Sequence, residues 1–138
     1  MFARALGALF LLLALSTGSV SAQSTAGGKE PISRGRPLSE WIADLKAAAP
    51  SVRNAAAYEI ASMGPAAKAA VPALIEALDD PDPAVRFPVT VALGEIGADA
   101  AAAVPRLQQM MFDEINDEIA AGARRAIRHI QPSALAGQ

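Results

Sequence analysis

The chain contains no cysteine and little that could do chemistry. Its 138 residues include no Cys, a single His and only 4% aromatic residues, and its formal net charge is −2. Without cysteine there can be no disulfide bond, thiolate zinc site or thiol nucleophile. The small net charge supplies no field suited to nucleic acid or to an anionic membrane, so neither is expected as a partner.

Strand signals are also scarce, because Val, Ile and Thr form no alternating runs. Apolar residues make up 52% of the chain, and many of them are alanines. Small side chains and good helix formers are typical of closely stacked helices. The composition therefore predicts a single all-α domain with no sheet, and the length leaves room for only one.

The first residues have the pattern of an export signal. A short basic start (Met1–Arg4) precedes the uncharged run Ala5–Leu15, and small residues then lead to Ala22. The apolar run is shorter than the roughly 20 residues that a membrane-spanning helix needs. We therefore predict a signal peptide over residues 1–22, cleaved after Ala22, and a periplasmic or secreted protein that does not insert in the membrane after cleavage. Residues 23–36, rich in Gly, Ser and Pro, are predicted to be a flexible leader.

An internal repeat indicates the fold. Val52 and Arg53 recur 33 residues later as Val85 and Arg86, and a third copy follows with one extra loop residue. Apolar positions have helical spacing in each copy. The repeat predicts a short α-solenoid of three antiparallel helix pairs in residues 37–131, with a flexible tail at 132–138. The paired helices are expected at 38–48 with 52–63, 70–79 with 83–96, and 103–112 with 117–130.

Local signals support these helices. Asp82 followed by Pro83 is typical of a helix start. Gly64 and Gly97 stand where a glycine ends a helix. Pro88 falls inside the fourth helix, where it should remove one backbone bond and kink the helix. Arg124 and Arg128 replace small residues of the earlier units, which predicts that the last helix has a charged, capping face.

Segments such as VPALIEALDDPDPAVR and ALGEIG resemble short bacterial HEAT repeats of the phycobilisome-lyase-like kind over about residues 37–130. The resemblance implies an α-solenoid and a ladder of ion pairs between neighbouring units. The matching ladder positions are Asp80, Asp113, Arg53 and Arg86. Unit three has Ala120 in place of the arginine and unit one has no matching aspartate, so the ladder should be partial. Such a motif says little about function.

Catalysis and metal binding are not expected. His129 has Ser62 and Glu95 as counterparts in the earlier units, but neighbouring helices lie about 9–10 Å apart. A nucleophile and its base need about 3 Å. Two acidic clusters, Asp79–Asp82 and 113–118, lack the ligand spacing of a calcium loop and suit helix N-termini instead. We predict no enzyme activity, no metal and no cofactor.

One surface does carry candidate binding residues. Second helices line the concave side of such repeats, and Val52, Ala56, Ile60 and Met63 are predicted to point inward. The positions between these inward residues point outward, and the repeat carries this assignment to the second helices of units two and three. Pro88 and Gly122 are therefore predicted to point outward, together with the candidate binding residues Tyr58, Phe87, Val91, Glu95, Arg125 and His129. Adjacent exposed apolar groups are typical of interaction sites. The alternative is that the Pro88 kink turns Phe87 into the core.

The leading hypothesis is therefore an exported, non-catalytic module that binds a protein partner on this second-helix surface. A second hypothesis, suggested by the lyase resemblance, is an accessory or chaperone-like subunit for an enzyme or cofactor-bearing protein. A third is a structural spacer without a ligand.

Overall fold

The computed structural model describes residues 28–137, which form three stacked helix pairs behind a small hairpin. Unit one contains α1 (Leu38–Asp44) and α2 (Pro50–Met63), unit two α3 (Val71–Ala77) and α4 (Pro83–Ile96), and unit three α5 (Val104–Asp113) and α6 (Asp117–Ile130). The hairpin strands are β1 (Ile32–Ser33) and β2 (Arg36–Pro37). The prediction of three antiparallel helix pairs is confirmed, with α1 and α3 ending earlier than expected.

Glycines end the second helices, as predicted. Gly64 and Gly97 follow α2 and α4 with φ of 57° and 79°, a conformation that costs glycine little. Each glycine opens a seven-residue 3-10 segment, Gly64–Ala70 or Gly97–Ala103, that leads to the next unit. The predicted helices leave residues 64–69 and 97–102 unassigned.

Side-chain caps begin α4 and α6. The Asp82 carboxylate accepts a hydrogen bond from Ala84 N at 2.9 Å, and Pro83 follows it at the first helical position. The N-cap of α6 is Asn116, whose side chain accepts from the backbone N–H of Glu118 and Ile119. The capping role is therefore confirmed for Asp82, whereas in the second acidic cluster an amide rather than a carboxylate caps the helix.

One apolar core runs through the three units. Its largest fully buried side chains include Leu38, Ile60, Leu74, Leu78, Leu93, Ile96, Leu107, Met110, Ile119 and Ile127. Small residues let the second helices approach closely. A Cβ added at Gly94 would lie 3.2 Å from the Cα of Ala126, so α4 and α6 are almost in backbone contact there.

The hairpin corrects two expectations, the absence of strands and a structureless leader up to residue 36. Strands β1 and β2 pair antiparallel, with Ile32 opposite Pro37. Arg34 and Gly35 form the turn, both with positive φ, as a two-residue hairpin requires. The lone tryptophan holds the hairpin, since Trp41 Nε1 donates to Ser33 O at 3.2 Å and the Arg36 guanidinium lies 4.1 Å from the ring centroid.

The hairpin covers a carboxylate at the start of the array. Glu59 of α2 stands where the later units have Ala92 and Ala126, on the side facing away from unit two. One of its oxygens accepts a hydrogen bond from Ser33 Oγ at 2.6 Å, and the other forms an ion pair with Arg34 Nε at 2.6 Å. A buried surface that lacks a preceding repeat must be covered or made polar, and the hairpin does both. The predicted signal peptide, residues 1–22, lies outside the described residues.

The tail is also partly structured, contrary to prediction. Residues Pro132–Leu135 form a 3-10 turn, and Ala134 and Leu135 pack against the core. Gln108 Nε2 donates to Ala134 O at 2.9 Å, which fixes the turn against α5. A four-residue turn carries no helical period, so the sequence pattern does not predict it.

One described helical run, Pro83–Asp113, is long and apolar enough to cross a membrane. It comprises α4, the 3-10 segment and α5, and 56% of its most apolar window is buried inside the protein. Because the direction of the chain changes at Gly97, the run is not one straight helix. Its apolar residues are those of the core helices of a folded domain.

Candidate functional site

The second helices α2, α4 and α6 lie side by side and present a common surface. Along this second-helix surface, the structure divides the six predicted binding residues between two depressions. Tyr58 and Phe87 line one between α2, α4 and α6, and Val91, Glu95, Arg125 and His129 line the other between α4 and α6. All six lie on helices of this surface, and their role in binding stays a prediction.

The first depression, which we call the tyrosine cleft, lies near the helix N-termini. It has a volume of about 370 Å³ and is lined by Asn54, Tyr58, Pro83, Ala84, Phe87, Asn116, Glu118 and Ile119. Tyr58, the single tyrosine of the chain, is 46% exposed. Its ring and hydroxyl offer an apolar face and a polar edge to whatever enters the cleft.

The second depression, the polar groove, lies further along the same helices and measures about 110 Å³. Its floor is made of small residues, Thr90, Gly94, Gly122 and Ala126. Val91 is half-buried, whereas Glu95, Arg125 and His129 are exposed around it. Arg125 and His129 are one turn apart on α6 and face Glu95 on α4. This arrangement can exchange hydrogen bonds with backbone or polar groups of a peptide.

Three of the predicted side-chain directions are wrong. Pro88 and Gly122, both predicted to point outward, are buried, whereas Val52, predicted to point inward, is 38% exposed. Gly122 is buried because α4 lies against it, and a Cβ there would meet Thr90 Oγ1 at 2.6 Å. Val52 lies in the first turn of α2.

Phe87 has a mixed position. Its ring is half-buried, packs against the core, and has two carbons 3.5 Å from where a Gly122 Cβ would lie. The missing side chain at Gly122 therefore makes room for it. Phe87 belongs partly to the α4–α6 interface, which corrects the expectation that it stands outside the core.

Asn54 also lines this surface, and its role is not predictable from helical spacing. Pro88 has no N–H to offer the carbonyl of Ala84, four residues earlier in α4. The Asn54 side-chain amide donates to that same carbonyl at 2.5 Å from the neighbouring helix α2. Helix α4 remains helical from Pro83 to Ile96 despite the proline. The coincidence of an asparagine on α2 with a proline 34 residues later in α4 is the only sequence signal of this bond.

The inter-unit ladder exists, with one change of partner. The Arg53 guanidinium binds both oxygens of Asp80, at 2.7 and 2.9 Å, and donates to two carbonyls in its own unit. Arg86 binds Glu114 in the same bidentate way, at 2.8 and 3.1 Å. Asp113 was expected in that role. The extra residue in the third loop moves Glu114 into the position that Asp80 occupies in unit two.

These ion pairs affect the carboxyl groups. The hydrogen bonds from Arg53 hold the pKa of Asp80 below its ordinary value, outweighing the opposing effect of burial. The hydrogen bonds from Arg86 likewise lower the pKa of Glu114. Each carboxylate also accepts from the backbone N–H two residues on, which shapes the turn before the second helix. The ladder thus joins units and orders the loops, away from the second-helix surface.

The groups that could suggest a catalytic trio are not assembled. Glu95 and His129 share the polar groove, but Ser62 does not line it. The Ser62 hydroxyl instead donates to Glu59 O at 2.6 Å and lies 3.3 Å from Ser33 Oγ, under the hairpin. Within residues 28–137 no three His, Asp or Glu side chains are grouped closely enough to hold a metal ion.

Comparison with known proteins agrees with the architecture. Residues 38–128 match the family of HEAT repeats, and this match covers about two thirds of the chain. The chain belongs to the HEAT-repeat family. No curated protein matches it. HEAT repeats generally mediate protein–protein interaction, and the family is typically a non-catalytic scaffold.

Proposed function

We propose that this protein is an exported, non-catalytic module that binds a protein partner on its second-helix surface. The observation that carries the proposal is the exposure of Tyr58, a large amphipathic side chain, beside an open cleft between the second helices. Tyrosine and arginine are enriched among residues that dominate binding energy, and Arg125 lies further along the same surface.

The two depressions suit an elongated partner segment. An apolar side chain of the partner would enter the tyrosine cleft and contact Tyr58 and the exposed part of Phe87. Its backbone or polar groups would then reach Glu95, Arg125 and His129 at the polar groove. Helical-repeat proteins commonly bind extended segments across several units, because each unit adds similar contacts.

Site-specific photo-cross-linking in the native organism tests the surface. A photoreactive amino acid replaces Tyr58 or His129, and Glu40 or Gln109 on the first helices in control variants. All four are exposed, so the fold should tolerate the replacement. We expect the same discrete cross-linked protein from Tyr58 and His129 and none from the controls. Equal products from both sets, or products containing a small molecule only, would contradict the proposal.

Export is tested separately. We expect the protein in the periplasmic or extracellular fraction, with Gln23 as its first residue after removal of residues 1–22. N-terminal sequencing of the fractionated protein measures both. A cytoplasmic protein that starts at Met1 would disprove export, while leaving the binding surface to its own test.

A further inference from the structure

The far side of unit three carries a second unusual surface, distinct from the tyrosine cleft and the polar groove. Met111, Phe112, Arg124, Arg128 and Leu135 line a depression of about 680 Å³, which we call the end groove. Phe112 is 70% exposed, and Ile115, three residues later, is 97% exposed. From the sequence, this face is predicted to be a charged, soluble cap.

Comparison between units shows that this face does not suit another repeat of the same kind. Phe112 stands at the position that Asp79 occupies in unit two. Asp79 forms an ion pair with Arg106 of the following unit at 2.6 Å, which phenylalanine could not form. Arg128 stands at the position of Gly94, where the next helix comes almost into backbone contact. An arginine at that point would hold a following helix away. Ala120 also replaces the arginine that would continue the ladder.

The charge of the end groove indicates what it would bind. Arg124 and Arg128 are four residues apart on α6, so their side chains share one face. Like charges at that spacing repel, and within residues 28–137 neither guanidinium forms an ion pair. Guanidinium groups match carboxylates in bidentate geometry. Two of them beside an exposed phenylalanine suit an anionic ligand with an apolar side chain.

We propose that the end groove binds an acidic peptide segment of another protein, in which carboxylates flank a large apolar side chain. The apolar side chain lies against Phe112, Met111 and Leu135, and the carboxylates bind Arg124 and Arg128. The chain's own first 27 residues contain no Asp or Glu, so they do not supply this segment. The proposal is independent of the partner of the second-helix surface.

Selection from a phage-displayed library of random linear peptides on the purified protein tests the proposal. Fluorescein-labelled copies of the enriched peptides are then titrated with the protein and followed by fluorescence anisotropy. We expect the enriched sequences to place Asp or Glu on both sides of Leu, Ile, Met or Phe. Their affinity should fall as salt is added, because salt screens exposed charges.

Matched variants locate the site. Arg128→Glu and Phe112→Ser should each weaken binding by about tenfold or more, as expected for central contacts. Lys68→Glu changes the net charge as Arg128→Glu does, at an exposed site on the first 3-10 segment, and should have little effect. Tyr58→Ala should also leave the affinity unchanged. Thermal denaturation checks that each variant is folded.

Several results would overturn the proposal. These are a library without acidic enrichment or without binders, equal losses for Lys68→Glu and Arg128→Glu, and loss of binding with Tyr58→Ala. Sedimentation velocity provides a further test. If the wild-type protein is a dimer that Phe112→Ser dissociates, then a second copy occupies the end groove instead of an acidic peptide. Apart from the Tyr58→Ala result, none of these outcomes bears on cross-linking from Tyr58.

Discussion

At the scale of single residues, Gly122 controls how closely α4 and α6 approach. The ring of Phe87 and the hydroxyl of Thr90 occupy the space that a side chain would need. Thr90 Oγ1 is itself held by donating to Phe87 O at 2.7 Å, so it has little freedom to move aside. Glycine in the middle of a helix usually lowers stability, and the close packing of α4 on α6 explains why a glycine is present at this position.

We therefore expect Gly122→Ala to destabilise the protein. Overpacking should lower the free energy of unfolding by about 1–3 kcal/mol, whereas the better helix propensity of alanine raises it by only about 1 kcal/mol. Urea denaturation followed by circular dichroism measures the change. Thr90→Ala should reduce the cost, because it removes the closest atom, whereas Thr90→Ser retains that atom and should not. An equal cost in all three backgrounds would contradict this account.

At the scale of helices, neighbouring elements repair each other's defects. Helix α4 lacks one internal hydrogen bond because of Pro88, and α2 supplies the replacement through Asn54. Sequence analysis could locate the proline and its missing N–H. It could not locate the donor, since a bond between helices depends on their packing rather than on spacing along the chain.

This compensation can be measured with a double-mutant cycle. Asn54→Ala should cost about 1 kcal/mol in the wild-type protein, because the Ala84 carbonyl then loses its partner. In a Pro88→Ala background the N–H of residue 88 can bind that carbonyl, so Asn54→Ala should cost less. Chemical denaturation of the four proteins gives the coupling. Identical costs with and without Pro88 would show that Asn54 has no such role.

The ion-pair ladder makes the joining of units sensitive to acid. Because the folded-state pKa values of Asp80 and Glu114 are lowered, their contribution to stability is present above the unfolded value of about 4. It is lost as the pH falls through the lowered folded values. We expect the urea midpoint to decrease below about pH 4, and less so in Glu114→Gln, which lacks one of the two groups. The control is Asp113→Asn, at the exposed neighbouring position. If this variant had the weaker dependence of the urea midpoint on pH, Asp113 rather than Glu114 would be the ladder residue.

At the scale of the whole molecule, the repeat made the architecture predictable and the surfaces only partly so. Periodicity places Ile60, Leu93 and Ile127 in the core, because the same contact recurs in every unit. It is uninformative wherever a unit has no neighbour. The hairpin over Glu59, the turn against Gln108 and the exposed Phe112 all lie at the ends of the array, where the repeat has no counterpart. The predicted directions of Phe87 and Gly122 fail for a related reason, since helical spacing gives a direction but not the distance to the next helix.

Whether the three units unfold together is the last prediction. Each unit contacts mainly its neighbours, so cooperativity depends on the interfaces that α4 forms on both sides. Leu93 is fully buried in α4, and Leu93→Ala should cost about 2–5 kcal/mol. Exposed Glu95→Ala should change stability by no more than about 0.5 kcal/mol.

The sole tryptophan, Trp41, lies in unit one, so its fluorescence reports that unit while circular dichroism reports the whole array. We expect Leu93→Ala to lower both urea midpoints equally, because a defect in the middle unit removes support from its neighbours. If the tryptophan transition kept its wild-type midpoint while the helical signal was lost earlier, unit one and its hairpin would be an independently stable unit.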